Sequence, residues 1–208
     1  TERLKTNAEM HKKALMQQLL TGKKRFPEFG GEWEKKALKN LLQEIKKERV
    51  ENPQDYELLT VRLHNKGIVR SGKYPRPTKR GRPYYFRYAG ELIIGRQNLH
   101  NGGIGIADEN VDGCIASNAI SSFKAHSSDL LFMYYFMSTP RFIHNVDSTI
   151  GGTGQKEISS RELLRMKVTV PSLAEQQKIA TVLNTADREI ELLTQKIEHL
   201  KSEKRALM

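Results

Sequence analysis

"VPSLAEQQKIATVLNTADREIELLTQKIEHLKSEKRALM", residues 170–208, decides the fold. Pro171 ends whatever strand precedes it, and "SLAE" at 172–175 has the form of a capping box, in which Ser172 and Glu175 each satisfy a backbone donor at a helix start. From there Ile179, Leu183, Ala186, Ile190, Leu193, Ile197, Leu200 and Leu207 recur at alternating steps of four and three, with Lys204 in the one slot that breaks the series. This is an a/d seam over about four heptads. At 1.5 Å per residue such a helix spans ~50 Å, too long to be covered by a domain made from the rest of the chain. Part of the seam is therefore expected to face another rod.

The same words occur at the other end of the chain. "HKKALM" at 11–16 matches "EKRALM" at 203–208, and aligning Met16 with Met208 carries Ala8, Lys12 and Leu15 onto Leu200, Lys204 and Leu207. Residues 2–20 thus read as the far end of a similar helix, stopped at Gly22 with Lys23, Lys24 and Arg25 beside its C-terminus, where cations complement the helix dipole. The second copy of the repeat stops before the "QQLLTGKKRF" that follows the first, and the chain begins at Thr; both suggest a fragment or a trimmed chain.

Between the two helices the pattern is mixed. Leu38, Leu41, Leu42 and Ile45 have helical spacing, whereas Leu59, Val61 and Leu63 alternate as in a strand. Further strands are expected at 84–88, 91–95, 104–107, 114–123 and 166–170. Ser128 and Thr139 are candidate helix caps, the second followed by Pro140 at its favoured first position. The fold class is α+β: the end of a helix at 1–22, one mixed domain at 23–170, and a long helix at 171–208.

The chain has 208 residues, is 38% hydrophobic and 28% charged, and carries a formal charge of +11. It can bury a real core, and the location of the charge points to a partner. No acid lies between Glu57 and Glu91, while Arg62, Lys66, Arg70, Lys73, Arg76, Lys79, Arg80, Arg82 and Arg87 all do, interleaved with Tyr74, Tyr84, Tyr85, Phe86 and Tyr88. "SGKYPRPTKRGRP" at 71–83 has the Gly and Pro content of an irregular loop. A basic loop suits a polyanion, because each cation set on a phosphate releases condensed counterions; a solubilising surface loop is the plainer reading.

One cysteine, Cys114, excludes an internal disulfide framework, and the six histidines show no metal-site spacing beside it, so neither metal nor cofactor is expected. No apolar run reaches the roughly 18 residues needed to cross a bilayer and no signal peptide is present, which predicts a cytoplasmic protein without membrane contact. Catalytic motifs fail on inspection. "NPQDY" at 52–56 departs from N-P-P-[YF] at Gln54 and Asp55, "GGTGQKE" at 151–157 lacks phosphate-loop spacing, and "EWEKK" at 32–36 has no partnered Asp.

The segments at 170–208 and 11–26 resemble the helical spacers of type I restriction-modification specificity subunits, whose usual form is P-L-x-E-Q-x-x-I-A followed by a heptad helix ending K-x-x-L-M-Q-x-L-L-T-G. "GELIIGRQNLHNGGIGIA" at 90–107, "CIASNAISSF" at 114–123 and "STIGGTGQKEIS" at 148–159 resemble that family's target recognition domains more loosely. The resemblance implies a non-catalytic subunit that reads one half of a bipartite target in double-stranded DNA. Its implied partners are methyltransferase and restriction subunits, together with a second copy or a second specificity half joined through coiled-coil helices. With one recognition domain, the chain resembles a C-terminal half or a half-size subunit.

For DNA contacts, Lys73, Arg76, Lys79, Arg80 and Arg82 are candidates for the phosphates. Arg96, Gln97, Asn98 and Asn101 are candidates for base edges, since Arg pairs bidentately with guanine and Asn or Gln with adenine. Ser117, Asn118, Gln155 and Lys156 are secondary candidates. Two readings of other classes remain open: a small DNA nuclease or methyltransferase carrying its own coiled coil, and a coiled-coil adaptor with no nucleic-acid role.

Overall fold

Val168 and Val170 are buried while Lys167 and Thr169 are exposed, the period-two alternation that makes Lys167–Val170 a half-buried strand. Pro171 ends it, and a helix of 34 residues, Leu173–Ala206, begins two residues later. A computed structural model of the chain describes residues 1–76, 82–150 and 157–207. Contacts divide it into two units, Thr1–Trp33 with Pro171–Met208, and Glu34–Val170. Segment 23–33 therefore groups with the helices.

In the first unit, α1 (Glu2–Leu19) lies against the long helix, the last of five α-helices among the described residues and hence α5 (Leu173–Ala206). Three ion pairs fix the direction: Glu2 meets Lys201 at 3.7 Å, Lys12 meets Asp187 at 2.5 Å and Arg25 meets Glu175 at 2.7 Å, so the helices run antiparallel. Ala8 and Leu19 are buried on α1; Ile179, Leu183, Ala186 and Ile197 are buried on α5. Ile190 and Leu193 are half-buried, whereas Leu200 and Leu207 stand exposed. Part of the seam expected to need another chain thus has an intramolecular neighbour in α1. Gly22 takes φ +71°, left-handed backbone that favours glycine, and the Trp33 ring lies 3.4 Å from where a Cβ would stand.

The α5 cap differs from the expected reciprocal box. Ser172 Oγ accepts the Glu175 N–H at 3.4 Å, but the Glu175 carboxylate turns to Arg25, which donates to it through Nε at 2.9 Å and Nη2 at 2.7 Å. A complete capping box forms elsewhere, at Ser159 and Glu162, which start α4 (Ser160–Arg165).

The second unit is built on a four-stranded antiparallel sheet. Its order is β2 (Leu42–Glu44), β9 (Ile120–Ala125), β6 (Leu92–Gly95), β7 (Ile104–Ile106). Leu92 pairs with Phe123 on one side and Ile106 on the other, and all four residues of β6 are buried, which is why this strand reads as an unbroken apolar run. Among the described residues, three two-stranded ladders accompany this sheet. They pair β1 (Glu34–Ala37) with β10 (Lys167–Val170), β3 (Leu59–Val61) with β4 (Ile68–Arg70), and β5 (Tyr84–Phe86) with β8 (Ile115–Ser117). Leu59, Ile68, Ile93, Ala107, Val111, Cys114 and Ala116 form one core cluster. Each fully buried Leu or Ile contributes about 1.5–3 kcal/mol.

Several expectations are corrected here. Leu38, Leu41 and Leu42 do not share a helix: Leu38 opens a single 3-10 turn between β1 and β2, and its N–H donates to the Met166 carbonyl at 2.9 Å. All three are at most 1% exposed, so their spacing reflects burial on every side rather than one helical face. The run 114–123 is two strands broken at Asn118 and Ala119. Asp129, not Ser128, caps α2 (Leu130–Met137), accepting the Phe132 N–H at 2.7 Å, while the Ser128 hydroxyl donates to the Leu41 carbonyl. Thr139 does accept the Phe142 N–H at 3.3 Å ahead of α3 (Pro140–Ile150).

Candidate nucleic-acid interface

Three chain segments of the sheet unit converge on one open basin. The tail of β2 supplies Lys46 and Lys47, the end of β6 supplies Arg96, the start of α4 supplies Ser159 and Ser160, and its first turn supplies Arg161. Backbone bonds hold the segments together: the Arg96 N–H donates to Ala119 at 3.0 Å, and the Ile158 N–H donates to the Arg96 carbonyl at 3.2 Å. Beneath them Ser160 donates to Glu44 Oε1 at 2.6 Å and shares a 2.8 Å hydrogen bond with Ser121, both serines being buried. The rigid floor consists of small hydroxyls and one carboxylate; the rim carries four cations.

The rim side chains are oriented in pairs. Lys47 Nζ donates to Asn118 Oδ1 at 2.6 Å and to the Asn118 carbonyl at 3.3 Å, and it stands 5.6 Å from the centre of the Tyr85 ring. Partial burial, reinforced by the neighbouring Arg96 charge, holds the Lys47 ammonium below the ordinary lysine range. Arg96 Nη2 meets Glu157 Oε1 at 2.7 Å, and Gln97 Nε2 donates to Glu157 Oε2 at 3.4 Å. Arg96 Nε is buried without a hydrogen-bond partner among the described residues.

Arg96 and Gln97, two of the four candidates for base edges, and Asn118, a secondary candidate, are thus brought to one region. Lys47, Arg161 and Glu157 join them, and sequence reasoning did not single these out. The adjacent Lys46 and Lys47 were visible as a charge pair, but nothing in the sequence tied them to Asn118. Asn98 and Asn101 are engaged differently. The Asn98 carbonyl accepts the N–H groups of Asn101 and Gly103, and Asn101 lines a separate open pocket with His64, Asn65 and His144. Ser117 sits in β8, paired with Tyr84.

The basic window 57–91 is sorted by burial. Arg87 belongs to the core: it is 1% exposed, donates to the carbonyls of Phe86 and Ile120, and burial pushes its guanidinium pKa down. Arg62 is bonded to the Lys66 carbonyl. Arg70 pairs with Glu57, whose other oxygen accepts the Gly72 N–H at 2.6 Å. With Leu58 donating to the Lys73 carbonyl at 2.8 Å and Ser71 donating to that of Leu58 at 2.9 Å, the base of the basic loop is clamped. Lys73, Arg76 and Arg82 are exposed beyond the clamp. Lys79, Arg80, Gln155 and Lys156 lie outside the described residues.

Nearby, Tyr88 donates to Glu48 Oε2 at 2.8 Å, which pushes its pKa up to about 12. Among the described residues, no group of three or more His, Cys, Asp or Glu could hold a metal ion, and no helix is long and apolar enough to cross a membrane.

The described residues thus combine a cation-rimmed, hydrogen-bonding basin on a mixed α+β unit with an antiparallel helical pair. The sequence model described as "Type I restriction modification DNA specificity domain" matches residues 30–202, and the chain belongs to that family. Over 86 residues it is 29% identical to the type I restriction enzyme MjaVIII specificity subunit of Methanocaldococcus jannaschii, covering 41% of this chain and 20% of that one. The crystal structure of the type I restriction-modification S subunit from M. genitalium matches with a TM-score of 0.61 at 11% identity, over 99% of this chain and 54% of that one. That of the HsdS subunit from Thermoanaerobacter tengcongensis matches with a TM-score of 0.51 at 16% identity, over 94% of this chain and 48% of that one. At these identities the likeness is one of fold. The chain spans about half the length of these two solved structures.

Proposed function

We propose that the chain reads one half of a bipartite DNA target as a specificity module of a type I restriction-modification system. The observation that carries this is the basin, in which Lys47, Arg96, Gln97 and Asn118 stand together with paired, oriented polar ends. Arg, Asn and Gln are the side chains whose bidentate geometry fits guanine and adenine edges, and each good pair discriminates by about 1–3 kcal/mol. Lys73, Arg76 and Arg82, and with them Lys79 and Arg80, supply phosphate contacts. These position the module without reading sequence.

In this reading the chain is not itself a catalyst. Methyltransferase and restriction subunits bring the chemistry, and a second specificity module, from another copy or another half, reads the second half-site. One module reading roughly three to five base pairs defines a site that recurs often in any genome, so pairing is what makes the target rare. The α5 helix, ~50 Å long at 1.5 Å per residue, has the length to set the gap between half-sites at about one and a half duplex turns. Leu200, exposed on α5, and Leu207, exposed just past its end, are the seam positions left for such a neighbour.

The test is a duplex-binding titration at several salt concentrations with the purified chain, alongside assays for cutting with magnesium and for methyl transfer. Salt-sensitive binding without either chemistry is the expected result. Catalysis by the chain alone supports the nuclease or methyltransferase reading, and failure to bind duplex at low salt supports the adaptor.

A further inference from the structure

We infer that Glu157 is a specificity-determining residue that keeps Arg96 and Gln97 for base edges and away from phosphates. The inference rests on the DNA-reading role proposed above. Glu157 touches both residues at once, with Oε1 2.7 Å from Arg96 Nη2 and Oε2 3.4 Å from Gln97 Nε2. The Glu157 backbone is held there by its neighbour, since the Ile158 N–H donates to the Arg96 carbonyl. The side chains are only 18% and 33% exposed for Arg96 and Glu157, so the pair is shielded enough for its charges to matter.

Its consequence follows from charge. Beside a bare guanidinium any phosphate oxygen is a good partner, and phosphates occur at every nucleotide regardless of sequence. A carboxylate 2.7 Å away neutralises that attraction and repels a second anion. A base edge is uncharged and is not repelled, and guanine offers two acceptors in the plane that a guanidinium requires. Because Arg96 Nε is buried, the two terminal nitrogens form the reading edge, and one of them is fixed in direction by Glu157. Without the carboxylate, Arg96 becomes one more cation open to a phosphate at the rim, beside Lys46 and Arg161.

The test compares the full chain with Glu157→Gln, measuring affinity for its selected duplex and for a scrambled duplex over a salt series. The expected result has three parts: tighter binding of the scrambled duplex, a salt slope steeper by about one phosphate contact, and roughly tenfold lower discrimination between the two duplexes. In an Arg96→Ala background the same substitution should leave the salt slope unchanged, because the cation whose phosphate contact Glu157 blocks is gone, which a merely structural role for Glu157 would not predict. Glu157→Asp, which keeps the charge, should keep the wild-type salt slope. Equal tightening on both duplexes, or no change on either, overturns the assignment while leaving the DNA-reading role intact. A wild-type chain that binds neither duplex overturns that role and this inference with it.

Discussion

Arg25 grips Glu175 through two parallel hydrogen bonds, Nε to Oε1 at 2.9 Å and Nη2 to Oε2 at 2.7 Å, and the Glu175 side chain is 1% exposed. The guanidinium fork matches the carboxylate, which holds Arg25 above the ordinary arginine range. Removing Arg25 leaves a buried carboxylate without its counter-charge, whereas removing the charge from Glu175 leaves a neutral amide. Arg25→Ala should therefore lower the thermal midpoint more than Glu175→Gln. Equal midpoints would show that the pair contributes nothing beyond packing.

Glu57 anchors the basic loop through Arg70 and Gly72. Judged by net charge alone, Glu57→Gln should strengthen DNA binding by removing an acid from a basic region. The anchor role predicts the opposite sign, a loss of roughly threefold in affinity for all duplexes, with sequence preference unchanged. A binding titration separates the two.

The same carboxyl also makes stability depend on pH. The Arg70 hydrogen bond, then that from Gly72, hold its folded pKa below the ordinary glutamate value. The unfolded chain thus takes up the proton first as pH falls. The contribution is complete above about pH 4.3 and is lost below it, so the stability difference between wild type and Glu57→Gln should shrink on acidification. A difference that stays constant from pH 6 to pH 3 contradicts the anchor.

Cys114 reports on the core of the sheet unit. It is 1% exposed, and burial pushes its thiol pKa up, so the reactive thiolate is scarce at neutral pH. Thiol reagents should modify it only under denaturing conditions, and the modification rate against denaturant should follow the loss of sheet structure. Rapid labelling of the native chain would contradict this packing.

Leu183 is fully buried on α5. Leu183→Ala should destabilise the chain by about 2–5 kcal/mol through lost burial and the cavity left behind. Leu192→Ala, at a position 65% exposed, should change stability by less than about 0.5 kcal/mol. Denaturant unfolding of both variants measures the contrast.

Periodicity makes α1 and α5 legible. The four-three spacing from Ile179 and the stop at Gly22 give α5 and α1 to within a residue or two, because each depends on local caps and one apolar face. Alternation and apolar runs likewise locate β3, β6 and β10. The stretch around Leu38 misleads, since residues buried on every side lose the period that distinguishes helix from strand. Reciprocal capping at Ser172 and Glu175 fails because the carboxylate has a better partner in Arg25, 150 residues away in sequence. Arg87 looks like surface charge until the strands fold around it. The basin is legible only in part: Arg96, Gln97 and Asn118 are polar residues next to turns, but their meeting with Lys47 and Glu157 is made by tertiary contacts.

The most direct measurement of the central claim is selection of bound sequences from a randomised duplex pool by the purified chain, repeated with Arg96→Ala and Lys47→Ala. The account predicts a short enriched motif of about three to five base pairs per module, with base preference altered at distinct positions by the two substitutions. Retained DNA without any enriched motif, or a motif unchanged in both variants, would contradict it.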